Sequence, residues 1–198
     1  MVAQAGKPRL EQKRLRPADV ALAKRTTVRA ADLGRGWVRR PPGPESNELP
    51  ACPGVDMDFS KFTITGTARS SFELQGASID SQVEVYESRA DAVGDFRKAT
   101  TRPVLRCLGR WLREELAKEM PGARLVTARL VSRPPLGERA IHYRVVTSVP
   151  ADAGRLTVYL DLLAFQRGRT AVTIGFSAAR TPLRGQLELG RAVAARTR

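Results

Sequence analysis

The sequence predicts an α+β fold, an antiparallel sheet of about five to seven strands with helices packed on it. Two runs rich in β-branched and aromatic residues flank Arg167-Gly168, where a glycine can take the positive φ of a tight hairpin turn. Residues 154–167 are substantially apolar on both faces, which is typical of a central strand covered on both sides. Apolar residues at helical spacing elsewhere in the chain predict the helices that would cover this strand.

The elements before this hairpin follow from short-range patterns. Proline followed by good helix formers predicts a short helix over Pro17 to Lys24. Alternating apolar and polar residues over 62–86 predict a one-sided hairpin that turns at Gly76. Ser88 stands three residues before Asp91, the spacing of a capping box, so we expect a helix to begin there.

The elements that follow are a helix, two strands and a final helix. Leucines at helical spacing predict a helix over 104–120. Residues 124–132 and 139–149 have the composition of strands, and a proline-glycine turn joins them. Pro182 opens a last helix with an apolar stripe that would lie against the sheet.

The composition indicates one domain preceded by a basic arm. The chain has 198 residues and a formal charge of +14, and it contains no apolar run long enough to cross a membrane. Residues 1–40 hold eleven Lys or Arg against three acids. We therefore interpret 1–16 as a basic flexible arm and 17–198 as a single α+β domain. The candidate residues for contact with anionic surfaces are Lys13, Arg14, Arg16, Arg39 and Arg40.

The two cysteines, Cys52 and Cys107, are too few for a typical metal site. A structural zinc ion takes four ligands at short paired spacings, and the chain offers two thiols and one histidine, His142. We therefore expect no metal. The cysteines are either two buried thiols or one disulfide, and a disulfide would indicate a location outside the reducing cytosol.

No assembled catalytic group is visible, so we expect a protein that is not an enzyme and that carries no cofactor. His142 is the single possible imidazole base, it lies on the same strand face as Arg144, and a lone strand histidine is typically half-exposed. There is no Gly-x-Ser-x-Gly elbow, no phosphate-binding Gly-x-x-x-x-Gly-Lys loop and no Gly-x-Gly-x-x-Gly.

Asp161 is the most informative polar residue because it lies mid-strand among apolar neighbours. A buried carboxylate is costly unless it is paired, so an arginine such as Arg144 on a neighbouring strand should face it. The alternative is that Asp161 forms the polar floor of a ligand cleft. Tyr143, Arg144, Tyr159 and Asp161 are then the candidate lining residues.

The order of several short motifs resembles the PknH-like extracellular sensor domains of actinobacterial envelope proteins. The motifs are Asp32-Leu33-Gly34-Arg35-Gly36-Trp37, Thr65-Gly66-Thr67-Ala68-Arg69-Ser70-Ser71-Phe72, Val83-Glu84-Val85-Tyr86, Ala90-Asp91-Ala92, Leu136-Gly137-Glu138-Arg139-Ala140 and Arg167-Gly168-Arg169. The similarity covers about residues 17–196. It implies an exported domain with a ligand cleft and a Cys52–Cys107 disulfide, although a second cysteine pair common in that group is missing. An envelope group with a fold like that of the PsbP proteins has a similar outline.

The resemblance implies an extracellular or cell-envelope location and a role in sensing or ligand binding. The expected partner is an unidentified small or polymeric envelope ligand, derived from the wall or from lipid. The basic arm would add contact with anionic wall polymers or headgroups. Met1 to Arg16 is charged throughout and has no apolar core of the kind a signal peptide needs. Because the resemblance implies export, we expect that an export segment was removed. The alternative is a cytoplasmic protein that binds nucleic acid through the same arm.

Overall fold

The computed structural model describes residues 8–43, 50, 52–152 and 154–197, and within them it confirms the α+β class. The strands are β1 (Gln12–Lys13), β2 (Val38–Arg40), β3 (Thr63–Leu74), β4 (Ala77–Tyr86), β5 (Arg124–Ser132), β6 (Arg139–Ala151), β7 (Gly154–Arg167) and β8 (Thr170–Ala179). The helices are α1 (Pro17–Thr26), α2 (Arg89–Ala99), α3 (Arg102–Glu119) and α4 (Gln186–Ala194), with a 3-10 turn at Ala30–Asp32.

In the part of the chain that the structure describes, the strands form one sheet of eight in the order β1-β3-β4-β8-β7-β6-β5, with β2 also paired to β3. The six long strands are antiparallel to their neighbours, as expected. The two additional strands are short segments at the β3 edge, and β1 runs parallel to β3. The hairpin of β7 and β8 lies at the centre, and Gly168 in its turn has the positive φ of 59° that the sequence predicted.

The helices cover the two faces of the sheet in pairs. One face packs against α1 and α4 in the largest apolar cluster, which includes Phe72, Phe165, Ile174 and Val193. The opposite face packs against α2 and α3 through Tyr86, Ile141, Phe96 and Val104. Because side chains alternate along β7, its apolar residues contribute to both clusters. This explains why the strand is apolar on both sides.

The part of the 1–16 segment that the structure describes is paired with β3. Residues 1–7 lie outside the described residues, but the segment after them is hydrogen-bonded along β3. The backbone amides of Gln12, Arg14 and Arg16 donate to the carbonyls of Phe62, Ile64 and Thr65 at 2.9, 2.9 and 2.7 Å. Pairing of this kind uses backbone groups alone, so an irregular polar sequence can form it.

Gly66 allows the next element, α1, to lie directly on β3. A Cβ added at Gly66 would stand 2.3 Å from the backbone carbonyl of Asp19, a distance that no side chain tolerates. The same residue follows an irregularity in the pairing of β3 with β4. A glycine inside a strand often marks such a close backbone approach.

Two local predictions are confirmed at the start of α2 and α3. The Ser88 hydroxyl accepts a hydrogen bond from the Asp91 amide at 3.0 Å and caps α2. Cys52 and Cys107 form a disulfide with a Cα–Cα distance of 5.8 Å, which ties the second turn of α3 to the loop before β3. No helix among the described residues has both the length and the apolar character needed to cross a membrane.

Candidate ligand-binding cleft

An apolar cleft of about 330 Å³ lies between α3 and the sheet. Its floor consists of two adjacent rows of cross-strand neighbours that run over β6, β7, β8 and β4 on the face covered by α2 and α3. One row is Tyr143, Leu162, Gly175 and Asp80, and the next is Val145, Leu160, Ser177 and Ser78. The floor is therefore apolar over β6 and β7 and becomes polar at β4.

The roof of the cleft is the middle of α3. Leu105, Leu108, Gly109, Trp111 and Leu112 line it. The leucines lie on one side of the helix, as their spacing predicted, yet in α3 only Val104 and Cys107 are fully buried. The Trp111 side chain is 40% exposed at the rim. The helix thus packs closely on β5, while its apolar stripe faces open volume over the strands next to it.

Two glycines shape this volume, one in the floor and one in the roof. An added Cβ on Gly175 would find its nearest neighbour, the Asp80 carbonyl oxygen, at 3.9 Å, so the space above this central residue is open. An added Cβ on Gly109 of α3 would meet Ala128 Cβ at 3.6 Å and Tyr143 Oη at 3.8 Å. Gly175 therefore leaves open room in the floor, whereas Gly109 lets α3 lie close to β5 and Tyr143.

Tyr143 connects the floor to the roof. Its hydroxyl donates to the backbone carbonyl of Leu105 in α3 at 3.5 Å. Burial raises the pKa of the Tyr143 phenol, so it remains a neutral donor at physiological pH. Tyr143 therefore places a polar group opposite a roof that is almost wholly apolar.

The structure separates the four residues that the sequence grouped as one cleft. Tyr143 and Asp161 both line the cleft beneath α3. The side chain of Asp161, like those of Arg144 and Tyr159, nevertheless extends from the opposite face of the sheet. On that face the Arg144 guanidinium lies 5.9 Å from the centre of the Tyr159 ring. The expected Arg144–Asp161 pair is confirmed, but it belongs to a buried network on the α4 side.

Asp161 accepts four hydrogen bonds in this network. Arg144 Nε and His142 Nε2 lie 2.7 and 3.0 Å from its Oδ1. Arg144 Nη2 and Gln186 Nε2 lie 3.1 and 2.8 Å from its Oδ2. Burial alone would raise the pKa of Asp161, but these bonds outweigh it and hold the pKa below its usual value. The network therefore attaches the first residue of α4 to the centre of the sheet.

His142 differs from the half-exposed residue that the sequence suggested. It is only 7% exposed, because α4 and the neighbouring strands cover this part of the sheet. An ionised carboxylate can only accept, so the proton between His142 and Asp161 is on Nε2. Among the described residues no hydroxyl or thiol is hydrogen-bonded to the imidazole.

The structure brings the five predicted anion-contact residues to the β3 edge, where β1 and β2 lie. Arg16 forms an ion pair with Glu87, and Arg40 Nε lies 3.0 Å from Glu73 Oε2. Arg14 donates to the Gln12 side chain at 3.3 Å. Lys13 lies in β1, and Arg39 lies exposed in β2. The charges of Arg16 and Arg40 are thus balanced by neighbouring carboxylates.

A buried acidic cluster lies on the cleft side of the sheet, beneath α2. The Tyr86 hydroxyl donates to Asp95 Oδ2 at 2.8 Å and lies 3.1 Å from Glu84 Oε2. Burial, together with the nearby charges of Glu11 and Glu84, raises the pKa of Asp95 to about 8. In the described part of the chain no group of His, Cys, Asp or Glu has the arrangement of a metal site.

Sequence reasoning missed most of the cleft, including its floor residues Val145, Leu160, Leu162 and Gly175. The one local signal was Gly175, a glycine in the middle of a central strand, because such glycines often mark close approach of a ligand or another backbone. The distance between α3 and the sheet depends on long-range packing, so no periodic pattern in the sequence reveals it.

Comparisons with known proteins give little further information. No protein-family model matches the chain, and no curated protein matches it significantly. Among solved structures, it is similar to LpqN of Mycobacterium tuberculosis, which is described as involved in cell envelope biogenesis. The TM-score is 0.34 and the sequence identity 11%, over 82% of this chain and 75% of LpqN. A likeness this distant carries no inference about this chain.

Proposed function

We propose that the chain is a non-enzymatic, exported envelope domain that senses or binds a lipid-derived ligand in the cleft beneath α3. The observation that supports this most directly is the cleft itself. Its volume of about 330 Å³ is within the range of small-molecule pockets. Its roof is formed by leucines and Trp111, which would contact an alkyl chain, and Tyr143 offers a hydroxyl to a polar group on the ligand.

The disulfide supports the exported location. Cys52 and Cys107 are bonded, and stable disulfides are typical of proteins outside the reducing cytosol. Thiol alkylation and mass spectrometry of protein purified from its native compartment, with and without reductant, test this point. A native bond is the expected result, and two free thiols would favour a cytoplasmic protein.

Ligand binding can be tested with N-phenyl-1-naphthylamine, an uncharged apolar fluorophore whose emission rises in apolar cavities. Dodecanol should displace the fluorophore from the parent protein. The variant Gly175→Leu fills the floor, and we expect it to weaken fluorophore binding at least about tenfold, which is about 1.4 kcal/mol. The backbone at Gly175 is extended, so leucine fits the strand without strain.

Gly34→Leu is the matched control, because Gly34 lies outside the cleft and an added Cβ there meets nothing within 4 Å. Both variants should unfold near the parent temperature. Equal fluorophore binding by the parent and by folded Gly175→Leu would contradict the assignment of the ligand to this cleft.

A further inference from the structure

The outer side of α3 carries a stripe of four arginines, Arg102, Arg106, Arg110 and Arg113. With 3.6 residues per turn they fall within an arc of about 80° and span about 17 Å of the helix. All four are exposed. Within the described residues none of them makes a hydrogen bond or an ion pair through its side chain. The stripe is therefore a concentrated positive surface whose charges have no ion-pair partners among the described residues.

Helix stability does not explain the position of these arginines. The first turn of a helix carries a partial positive charge and favours acidic residues, but the first turn of α3 contains none and begins at Arg102. The acids of α3 are confined to its second half, where Glu115 binds Lys118 at 2.9 Å. The stripe thus opposes the helix dipole at its start, which local energetics alone would disfavour.

The stripe lies beside the cleft. Gly109, which lines the roof, is separated from Arg102 by only about 20° around the helix. Trp111 lies on the other rim of the cleft, at least about 100° around the helix from each of the stripe arginines. A flat surface that contacts the arginines would therefore lie along the Gly109 side of the roof, with α3 between that surface and the open volume of the cleft.

We propose that this arginine stripe docks the protein on an anionic lipid bilayer, with the Gly109 edge of the cleft roof beside the contact. Clusters of four or more basic residues on an amphipathic helix are typical of binding to anionic headgroups. The free arginines provide the charge complementarity, and the adjoining apolar cleft favours lipid over a purely polar polyanion. The docking does not depend on which molecule the cleft binds.

The test is sedimentation of the intact protein with vesicles made of one part phosphatidylglycerol and two parts phosphatidylcholine. The parent should bind these vesicles, bind phosphatidylcholine alone weakly, and dissociate as salt is raised. The variant with all four stripe arginines changed to glutamine should lose up to about 600-fold in affinity, since each basic residue near an anionic surface contributes roughly fivefold.

The control removes the same charge elsewhere, by changing Arg25, Arg35, Arg180 and Arg184 to glutamine. These arginines are exposed and lie outside α3. The control should bind the vesicles within about threefold of the parent, because fewer of its charges approach the surface. Circular dichroism of both variants should match that of the parent.

Three results would overturn the proposal. The first is equal loss of vesicle binding in both variants, which would indicate a general effect of net charge. The second is loss of vesicle binding when Lys13, Arg14 and Arg39 are changed to glutamine but not when the stripe is changed, which would place the contact at the β3 edge. The third is stripe-dependent binding to a fluorescent DNA duplex that is tighter than vesicle binding at equal salt, which would identify nucleic acid as the partner.

Discussion

Arg144 and Asp161 face each other on neighbouring strands and form a two-bond ion pair at the centre of the sheet, with N–O distances of 2.7 and 3.1 Å. The carboxylate is almost fully buried, whereas the Arg144 side chain retains 21% exposure. The pair therefore joins β6 and β7, and Gln186 extends the connection to α4. Its location on the α4 face separates this network from the cleft.

Changing Asp161 to asparagine should destabilise the protein by about 3 kcal/mol, because Arg144 would lose its buried counter-charge. The measurement is the free energy of unfolding in urea at neutral pH. Asp152→Asn is the control, because Asp152 is exposed, and it should change the free energy by less than about 0.5 kcal/mol. Equal stabilities of the two variants would show that the pair contributes nothing to folding.

Changing Gly109 to alanine should stabilise the protein by up to about 1 kcal/mol, the difference in helix propensity. The added methyl group makes ordinary contacts at 3.6 and 3.8 Å. Gly94 in α2 provides the comparison, since an alanine there would place its Cβ 2.7 Å from Phe62 Cε1. We expect Gly94→Ala to be neutral or destabilising in thermal unfolding. Stabilisation at Gly94 and loss at Gly109 would contradict the described position of α3.

The buried Asp95 should make stability depend on pH. Its pKa of about 8 in the folded state exceeds the value near 4 of an unfolded aspartate, so the folded state holds more protons between these values. The free energy of unfolding should therefore fall as pH rises from about 4 to 8, by at least about 1 kcal/mol. Asp95→Asn should remove that part of the slope in urea unfolding at a series of pH values. Identical slopes in parent and variant would exclude Asp95 as the cause.

Replacing both Cys52 and Cys107 with serine should cost about 4 kcal/mol of stability, as the chain-entropy model gives for a cross-link over a separation of 55 residues. Unfolding in denaturant with and without reductant gives the comparison for the parent protein. Reductant should destabilise the parent and leave the double variant unchanged. A parent protein whose stability does not respond to complete reduction would contradict this value.

The features that the sequence predicted correctly depend on neighbouring residues. Gly168 allowed the central hairpin to be recognised, and the spacing of Ser88 and Asp91 indicated the start of α2. The pairing of Arg144 with Asp161 followed from the cost of a buried charge. Each of these inferences required a physical rule that acts over a few residues or between adjacent strands.

The features that were missed depend on distances between elements. The strand β1 has two residues and is held by backbone hydrogen bonds, so side-chain patterns do not reveal it. The separation of Tyr143 from Arg144 follows from strand alternation, but the cleft on one side requires the position of α3. Helical spacing is enough to predict the arginine stripe on α3. The excess of positive charge in residues 1–40 instead favoured a prediction of anion contact near the N-terminus.

The disulfide gives α3 a covalent attachment near one end. Leu116 lies nine residues beyond Cys107, a distance of about 14 Å along the helix axis. A small tilt of the helix about Cys107 therefore moves its far end by several times the displacement near the cross-link. A tilt of this kind would change the height of the cleft most at the end of α3 far from the cross-link, and least at the turn held against the loop before β3.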